Sequence, residues 1–446
     1  MLTGCAPKME EVEAPIEQPE EFSNSGTVEL PNSWWTSFDD PELDFIIEQS
    51  LDNNLGLAAS QQGFLAAMAV VKREKSFLIP DISAEARSGI SRPEPDFAGG
   101  ENTQIGLAAA YEVDLWGRIR AGIEAEEYRA QASYYDYQAA AISISAETAL
   151  TYYRLAAARQ QLELAENQIQ TNEEITRLIR ARFTGGQIRA VDILRQEQLL
   201  QNTREQKVLY ETDIEILKNQ LALLLAKPAQ NELIVATDSF PSLPPLPETG
   251  LPLELVRRRP DLKQAYNLVL AADRDMAVAI RNKYPRLSLS LVGQARSNNF
   301  NNIFNDWAYT LAGNIFAPLI TGGRLKAEVS RTEALKYQNL YQYGQTVLTS
   351  FREVEDALIR ELKQKERIQI LEDRLELSNK TIRQLRTEFL NGLSEYLDVL
   401  LALGEQQQLQ RDYITAKQNL IEIRISLYRA LAGGFELEDV EEPQFN

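Results

Sequence analysis

The chain consists of two copies of one long unit. Segment 183–186 (Phe-Thr-Gly-Gly) recurs as segment 389–392 (Phe-Leu-Asn-Gly), and Asp192 recurs as Asp398, both with an offset of 206 residues. Because the two copies align almost without gaps, each is expected to supply the same helices and strands. The duplication predicts one elongated body made of two halves, rather than the two or three separate domains that 446 residues would ordinarily form.

Four stretches of the chain alternate between apolar and polar residues with a period of two, which predicts β-strands. Each run is about ten residues long, the length of a tilted strand that crosses a bilayer. Four strands cannot close a barrel, and lipid does not tolerate an open sheet edge, so a membrane location requires several chains to contribute strands. A small soluble sheet with one wet face is the alternative. The expected strands cover residues 77–91, 102–116, 284–297 and 306–320.

Long stretches with few helix-breaking residues follow each pair of strands. A helix of about 65 residues would extend roughly 100 Å, which suits coiled-coil-like packing better than a globular core. Gly185-Gly186 and Asn391-Gly392 interrupt these stretches at equivalent points and predict turns between antiparallel helices, because both residue types tolerate positive φ. The expected helices cover residues 118–182, 188–226, 324–388 and 394–432.

Two segments just after these turns, 195–206 and 404–408, are polar on nearly every side. A helix of this kind either faces solvent on several sides or lines a water-filled lumen, and the sequence leaves both interpretations open.

The remaining segments complete the expected domain organisation. A short helix is predicted at Pro41–Asn53, with Trp34, Trp35 and Phe38 before it as packing anchors. The acidic, proline-bearing N-terminus cannot build a core and is interpreted as a tether. The divisions are a tether (1–33), a first repeat (34–227), a proline-rich crossover (228–252), a second repeat (253–433) and an acidic tail (434–446).

Composition excludes several classes of function. The net charge of −19, from 65 acidic and 46 basic residues, argues against a nucleic-acid partner. The chain has no histidine and one cysteine, which rules out Ser-His-Asp and Cys-His sites and multi-cysteine metal sites. We therefore expect no enzyme activity, no cofactor and no metal.

The cysteine ends segment 2–5 (Leu-Thr-Gly-Cys), which resembles the bacterial lipobox. In lipoproteins of this kind the cysteine becomes the lipidated first residue, so we expect Cys5 to carry a lipid anchor followed by the tether. By the same resemblance, Ala6 fits export to the outer membrane. The alternative is a cysteine without a role on a flexible tail.

Several segments together resemble the outer-membrane factors of the TolC type, in the lipoprotein branch that serves tripartite efflux pumps. Each segment is weak evidence alone, but their order within a duplicated frame is specific. The resemblance covers most of the chain and is carried by segments 2–5, 34–43, 111–118, 258–262, 284–289, 317–324 and 428–434.

The resemblance implies a mainly α fold with β: a homotrimer whose long α-helical hairpins form a tunnel through the periplasm, and whose four β-strands per chain complete a twelve-stranded transmembrane β-barrel. It implies passive export of small molecules, delivered by an inner-membrane pump of the RND type and a periplasmic adaptor. The expected location is the outer membrane, in contact with its lipid.

The resemblance also implies two sets of functional residues. The adaptor is expected to dock at the helical hairpin tips, which contain Phe183, Gly185, Gly186, Phe389, Asn391 and Gly392. The tunnel is expected to close at a gate formed by Glu395, Leu397, Asp398 and Leu401. Three copies of Asp398 would form a ring of like charge that attracts cations, as acidic rings do in pores. Two departures from relatives concern this gate: Leu401 stands where a second aspartate can occur, and Ser394 where an arginine can occur. An exposed Asp398 without a role is the alternative.

The sequence is also compatible with other functions. An outer-membrane channel for protein secretion, fed by an ABC exporter, is the nearest rival, although segments 2–5 and 258–261 favour the small-molecule branch. A periplasmic coiled-coil scaffold with soluble sheets belongs to another class.

Overall fold

The computed structural model describes residues 16, 19–90, 101–229, 239–297, 303–305, 307–431 and 442–445. The predicted lipidation site Cys5 lies outside the described residues. After a 3-10 helix at Trp34–Phe38, the elements in chain order are α1 (Pro41–Asn53), α2 (Leu55–Ser76), β1 (Asp81–Ile90), β2 (Glu101–Val113), α3 (Arg118–Thr184), α4 (Ala190–Leu224), α5 (Pro252–Arg258), α6 (Pro260–Arg281), β3 (Arg286–Ser297), β4 (Trp307–Phe316), α7 (Arg324–Leu390) and α8 (Tyr396–Leu431).

The duplication is visible in the order of elements. The series α2-β1-β2-α3-α4 is repeated as α6-β3-β4-α7-α8. Helices α3 and α7 have 67 residues each, which corresponds to about 100 Å. The predicted fold class, long helical hairpins with four strands per chain, is confirmed.

The predicted strands were too long at the ends that join helices. The structure places residues 77–80, 114–116, 284–285 and 317–320 outside the strands. Pro80 and Pro285 lack the N–H that a strand ladder needs. Asp114 instead stabilises the first turn of α3, because its carboxylate accepts hydrogen bonds from the backbone N–H groups of Ile119 and Arg120 at 3.1 and 3.0 Å.

The four strands form one antiparallel sheet in the order β1-β2-β3-β4. In the register Asp81 lies opposite Ala110, Val113 opposite Leu287, and Arg286 opposite Phe316, so all four junctions with helices lie at the same end of the sheet. One face is polar, where Gln104 donates a hydrogen bond to Gln294. Large apolar side chains alternate with these polar positions and are exposed in the single chain: Ile82, Leu107, Leu289, Leu291, Leu311 and Ile315. Within the described residues, no helix combines the length and apolar character that a membrane span requires.

The helices form a wall one layer thick. Helix α3 contacts α2, α4, α6 and α8, and α7 contacts α6 and α8. The order across the wall is therefore α2 and α4 at one edge, then α3, then α6 and α8, and finally α7 at the other edge. The strands of the sheet follow the same order, with β1 at the edge that contains α2 and α4 and β4 at the edge that contains α7.

The largest core of the subunit lies where the short N-terminal elements pack on the long helices. Trp34, Trp35 and Phe38 are buried, as predicted. The ring of Phe38 lies 5.6 Å from those of both Tyr153 on α3 and Tyr428 on α8. The N-terminal segment thereby joins helices from both repeats.

A buried ion pair lies close to this core. The Arg424 side chain is 0% exposed and that of Glu361 is 3% exposed. Arg424 donates from Nε and Nη2 to the two Glu361 oxygens at 2.8 and 2.6 Å, and from Nη1 to the carbonyls of Pro244 and Pro245 at 2.6 and 2.8 Å. One guanidinium therefore holds α7, α8 and the proline-rich crossover together.

Candidate functional site

Both helical hairpins end in the same type of turn. Gly186 donates its N–H to Phe183 O at 2.9 Å and Gln187 to Arg182 O at 3.0 Å. This is the Schellman pattern, which requires a left-handed residue after the helix. Gly186 supplies it with φ +70°, and Gly392 does so in the second repeat with φ +75°. Both turns occur at the predicted positions.

The two turns present different side chains to solvent. Phe183 is exposed, and so are Leu390 and Leu393 in the second turn. Phe389 is buried, with its ring 5.5 Å from Tyr396 and the Arg182 guanidinium over its face. Phe389 therefore supports the tip from within, whereas Leu393, which the sequence did not single out, extends into solvent.

The predicted gate residues lie on one side of the start of α8. Glu395, Asp398 and Leu401 are exposed and follow each other at a spacing of three residues, which places them on one helical face. Leu397 is half-buried. The opposite face packs against Ile179 and Phe389 through the buried residues Tyr396, Val399 and Leu400.

The equivalent aspartate of the first repeat has a different environment. The Asp192 side chain is only 4% exposed and pairs with Arg189 at 3.3 Å and Arg195 at 3.8 Å. In the second repeat, the positions of these two arginines are taken by Glu395 and Leu401. The two repeats therefore differ: Asp192 is buried and paired with arginines inside the subunit, whereas Asp398 is exposed.

One ion pair connects the two repeats at the tip. Arg189 Nη2 lies 3.1 Å from Glu395 Oε2, while the same guanidinium also contacts Asp192. The hydrogen bond to Asp192 and the charge of Glu395 raise the pKa of Arg189. The Arg189 guanidinium therefore connects the start of α4 to the start of α8, because it pairs with both Asp192 and Glu395.

A buried polar network lies behind the gate residues. Tyr396 donates to Gln196 Oε1 at 2.5 Å, and Gln196 donates to the Asn172 carbonyl at 3.1 Å. Asn172 in turn donates to Thr203 Oγ1 and accepts from Gln407, both at 3.0 Å. Burial, together with the charge of Asp192, raises the pKa of Tyr396, so its hydroxyl remains a donor.

Sequence reasoning did not identify this network. The network includes three residues of the polar segments 195–206 and 404–408: Gln196, Thr203 and Gln407. They face neither outer solvent nor a lumen, because they are buried between helices. The available signal was the spacing of seven between Gln196 and Thr203, which is that of a helix seam.

The geometry defines a class of protein in which a duplicated layer of long helices continues into a β-sheet. This sheet has two unpaired edges and an exposed apolar face. A model of the family described as outer membrane efflux protein matches residues 46–227 and 251–433, which correspond to the two repeats. The chain belongs to this family. The resemblance stated from the sequence is thus confirmed, and the family is one of transport proteins.

Three relatives illustrate the extent of the similarity. The pyoverdine export outer membrane protein OpmQ of Pseudomonas aeruginosa is 29% identical over 425 residues, covering 90% of this chain and 87% of the relative. The cation efflux system protein CusC of Escherichia coli is 25% identical over 454 residues, covering 98% and 97%. The solved structure of the outer-membrane channel OprN has a TM-score of 0.87 at 25% identity, covering 95% of this chain and 98% of that chain.

Proposed function

We propose that three copies of this chain close into one duct that passively exports small molecules across the outer membrane. The arrangement of edges supports this proposal. Elements β1, α2 and α4 form one edge of the subunit, and β4 and α7 form the other. Contact between unlike edges of identical subunits closes into a ring when the rotation between subunits is suitable.

The exposed apolar stripes on the edge helices carry the proposal. Stripes of this kind mark surfaces that another protein covers, and spacings of seven residues are those of a coiled-coil seam. On α4 the stripe contains Leu209, Ile216 and Leu223, and on α7 it contains Tyr341, Leu348, Ile370 and Leu377. The stripe of α4 in one subunit would pack against that of α7 in the next.

The ring places each part of the chain in a compartment. The exposed apolar face of the twelve strands lies in the outer-membrane lipid, the helices extend into the periplasm, and Cys5 carries a lipid anchor at the end of the 1–33 tether. The repeats at 34–227 and 253–433 form the duct, and the 228–252 crossover belongs to its equatorial region.

Partners act at the hairpin tips. A periplasmic adaptor docks on the turns around Phe183, Gly186 and Gly392, and an inner-membrane pump of the RND type supplies the substrate. The exposed side chains of Phe183 and Leu393 offer apolar contacts for such docking.

The gate consists of Glu395, Leu397, Asp398 and Leu401, repeated three times around the axis. The Asp398 ring repels itself and favours cations. Within each subunit, the Arg189–Glu395 ion pair opposes separation of α8 from α4. Opening therefore requires this pair to break.

Two experiments test the proposal. Projection images of detergent-purified particles should show long hollow cylinders with threefold symmetry, whereas a compact soluble monomer would refute the duct. In planar bilayers, Asp398→Ala, alone or with Glu395→Ala, should change conductance or cation preference. Asp373→Ala on α7 is the matched control for loss of an exposed aspartate. Unchanged conductance and selectivity in the Asp398 variants would remove these residues from the gate.

A further inference from the structure

The junctions between strands and helices have a charge opposite to that of the whole chain. The chain has a net charge of −19, yet segments 72–81, 112–120, 281–286 and 324–326 together contain ten basic and four acidic residues. Because the four junctions lie at one end of the sheet, these residues form a single zone, which we call the basic belt: Lys72, Arg73, Lys75, Arg118, Arg120, Arg281, Lys283, Arg286, Arg324 and Lys326.

Part of the belt is neutralised inside the subunit. Arg73, Lys75 and Arg118 pair with carboxylates at 3.0, 2.8 and 2.9 Å. Six exposed cations have no carboxylate of a described residue within 4.0 Å: Lys72, Arg120, Lys283, Arg286, Arg324 and Lys326. Arg286 alternates with Leu287 on β3 and therefore lies on the polar face of the sheet, which leaves the other five as candidates for contact with lipid. Positive charge that the subunit does not use is available to an external anion.

Exposed apolar and aromatic side chains lie next to these cations. Trp116 and Tyr284 are both exposed with their rings 5.3 Å apart, and Trp116 Nε1 donates to the Pro285 carbonyl at 2.7 Å. Leu319 and Ile320, just before Arg324, are almost fully exposed. Trp and Tyr beside lysine and arginine are typical of the boundary between hydrocarbon and headgroups.

We propose that the basic belt binds the headgroups of anionic phospholipids, such as phosphatidylglycerol, in the leaflet that faces the periplasm. This proposal rests on the proposed function, which places the sheet in the bilayer and the helices in the periplasm. The helix-side end of the sheet then lies at the inner headgroup layer. Charge complementarity and the adjoining apolar surface both favour a lipid over a soluble anion.

The expected preference is large and depends on salt. Each cation near an anionic surface contributes about 1 kcal/mol, which is about fivefold in affinity. Partial screening and sharing of lipids reduce the total, so we expect phosphatidylglycerol to bind the belt at least fivefold better than phosphatidylcholine at roughly 20 mM salt. At roughly 500 mM salt, the shorter Debye length should bring the preference to less than twofold.

Trp116 itself serves as the reporter. Trp34 and Trp35 are buried and Trp307 is exposed, so a Trp307→Phe variant leaves Trp116 as the one exposed tryptophan. The full chain in this background is reconstituted into vesicles that contain brominated phosphatidylglycerol or brominated phosphatidylcholine. Quenching of tryptophan fluorescence against the fraction of brominated lipid gives the relative affinity of each headgroup at the belt.

The charge dependence is tested with a triple variant and a matched control. Lys72→Gln, Lys283→Gln and Lys326→Gln together should lower the preference to less than twofold. Lys207→Gln, Lys363→Gln and Lys380→Gln together remove the same charge from α4 and α7, away from the sheet, and should leave it unchanged. If the triple variant does not fold, the proposal is tested by the dependence of the phosphatidylglycerol preference on salt, measured in the Trp307→Phe variant.

The outcomes separate this proposal from the one on which it rests. Equal quenching by both lipids at low salt would overturn the lipid-binding role of the belt and leave the duct intact. No quenching by either lipid would place Trp116 outside the bilayer and overturn the membrane orientation together with the belt.

Discussion

Replacing Arg424 with methionine should destabilise the subunit more than most single substitutions in it. The change leaves the Glu361 carboxylate buried, with only the half-exposed Lys365 at 2.8 Å as a partner, and removes the donor to the carbonyls of Pro244 and Pro245. Breaking a buried pair by removal of one partner costs about 3–5 kcal/mol. Unfolding entropy of about 2.1 cal/mol/K per residue gives about 0.9 kcal/mol/K for this chain, so we expect Tm to fall by about 3–5 °C.

Three variants and circular dichroism at 222 nm in detergent separate the contributions. Arg424→Met with Glu361→Leu removes both charges, so the buried unpaired carboxylate of the single variant is absent. The carbonyls of Pro244 and Pro245 lose their donor equally in both variants. The double variant should therefore melt at a higher temperature than Arg424→Met alone. Lys365→Met is the control: it removes the exposed partner of Glu361, and we expect a loss of less than about 1 kcal/mol.

The same pair predicts a dependence on pH. Burial alone would raise the pKa of Glu361, but hydrogen bonds from Arg424 and Lys365 outweigh it and hold the pKa below its ordinary value. A carboxyl group with a lower pKa in the folded state stabilises the fold above its unfolded pKa of about 4.3 and loses this contribution as the pH falls through the folded value. The difference in Tm between the wild type and Arg424→Met should therefore shrink below about pH 4. A double variant that melts no higher than the single one, with no such pH dependence, would refute the argument.

Three further predictions concern the tips. Tyr396→Phe leaves the buried Gln196 amide oxygen without its donor, and we expect a loss of about 1–3 kcal/mol, seen as faster amide hydrogen exchange at the starts of α4 and α8. If the proposed docking surface is correct, Gly392→Arg should abolish drug resistance in a strain that depends on this chain, with trimers intact on native gels, because the variant disturbs both that surface and the left-handed conformation of residue 392. Asn391→Arg, at a right-handed φ, separates the effect of backbone strain from that of side-chain bulk. Arg189→Ala should raise single-channel conductance by releasing α8 from α4, and an unchanged conductance would exclude this ion pair as a restraint on the proposed gate.

Local patterns were sufficient to predict the four strands, the four long helices, both turns and α1, but α2, α5 and α6 were not predicted. The alternation of apolar and polar residues identified four strands, and the spacing of breakers identified the long helices and both turns, since these features depend on residues close together in the sequence. The strand ends were less accurate, because the alternation of apolar and polar residues continues past Pro80 and Pro285, which lack the N–H of a strand ladder, and past Asp114, which binds the first turn of α3.

The duplication, the four strands, the helical hairpins with their glycine turns and the family of the chain can all be predicted from the order of the amino acids. The packing of the helices was needed to show that Asp192 is buried between two arginines while its repeat equivalent Asp398 is exposed. It was also needed to show that Gln196 and Gln407 lie inside the subunit rather than on a surface. The physical reason is that burial depends on which helix lies across a given face. Equivalent positions of the two repeats meet different neighbours, because α4 packs mainly on α3 whereas α8 packs on both α3 and α7.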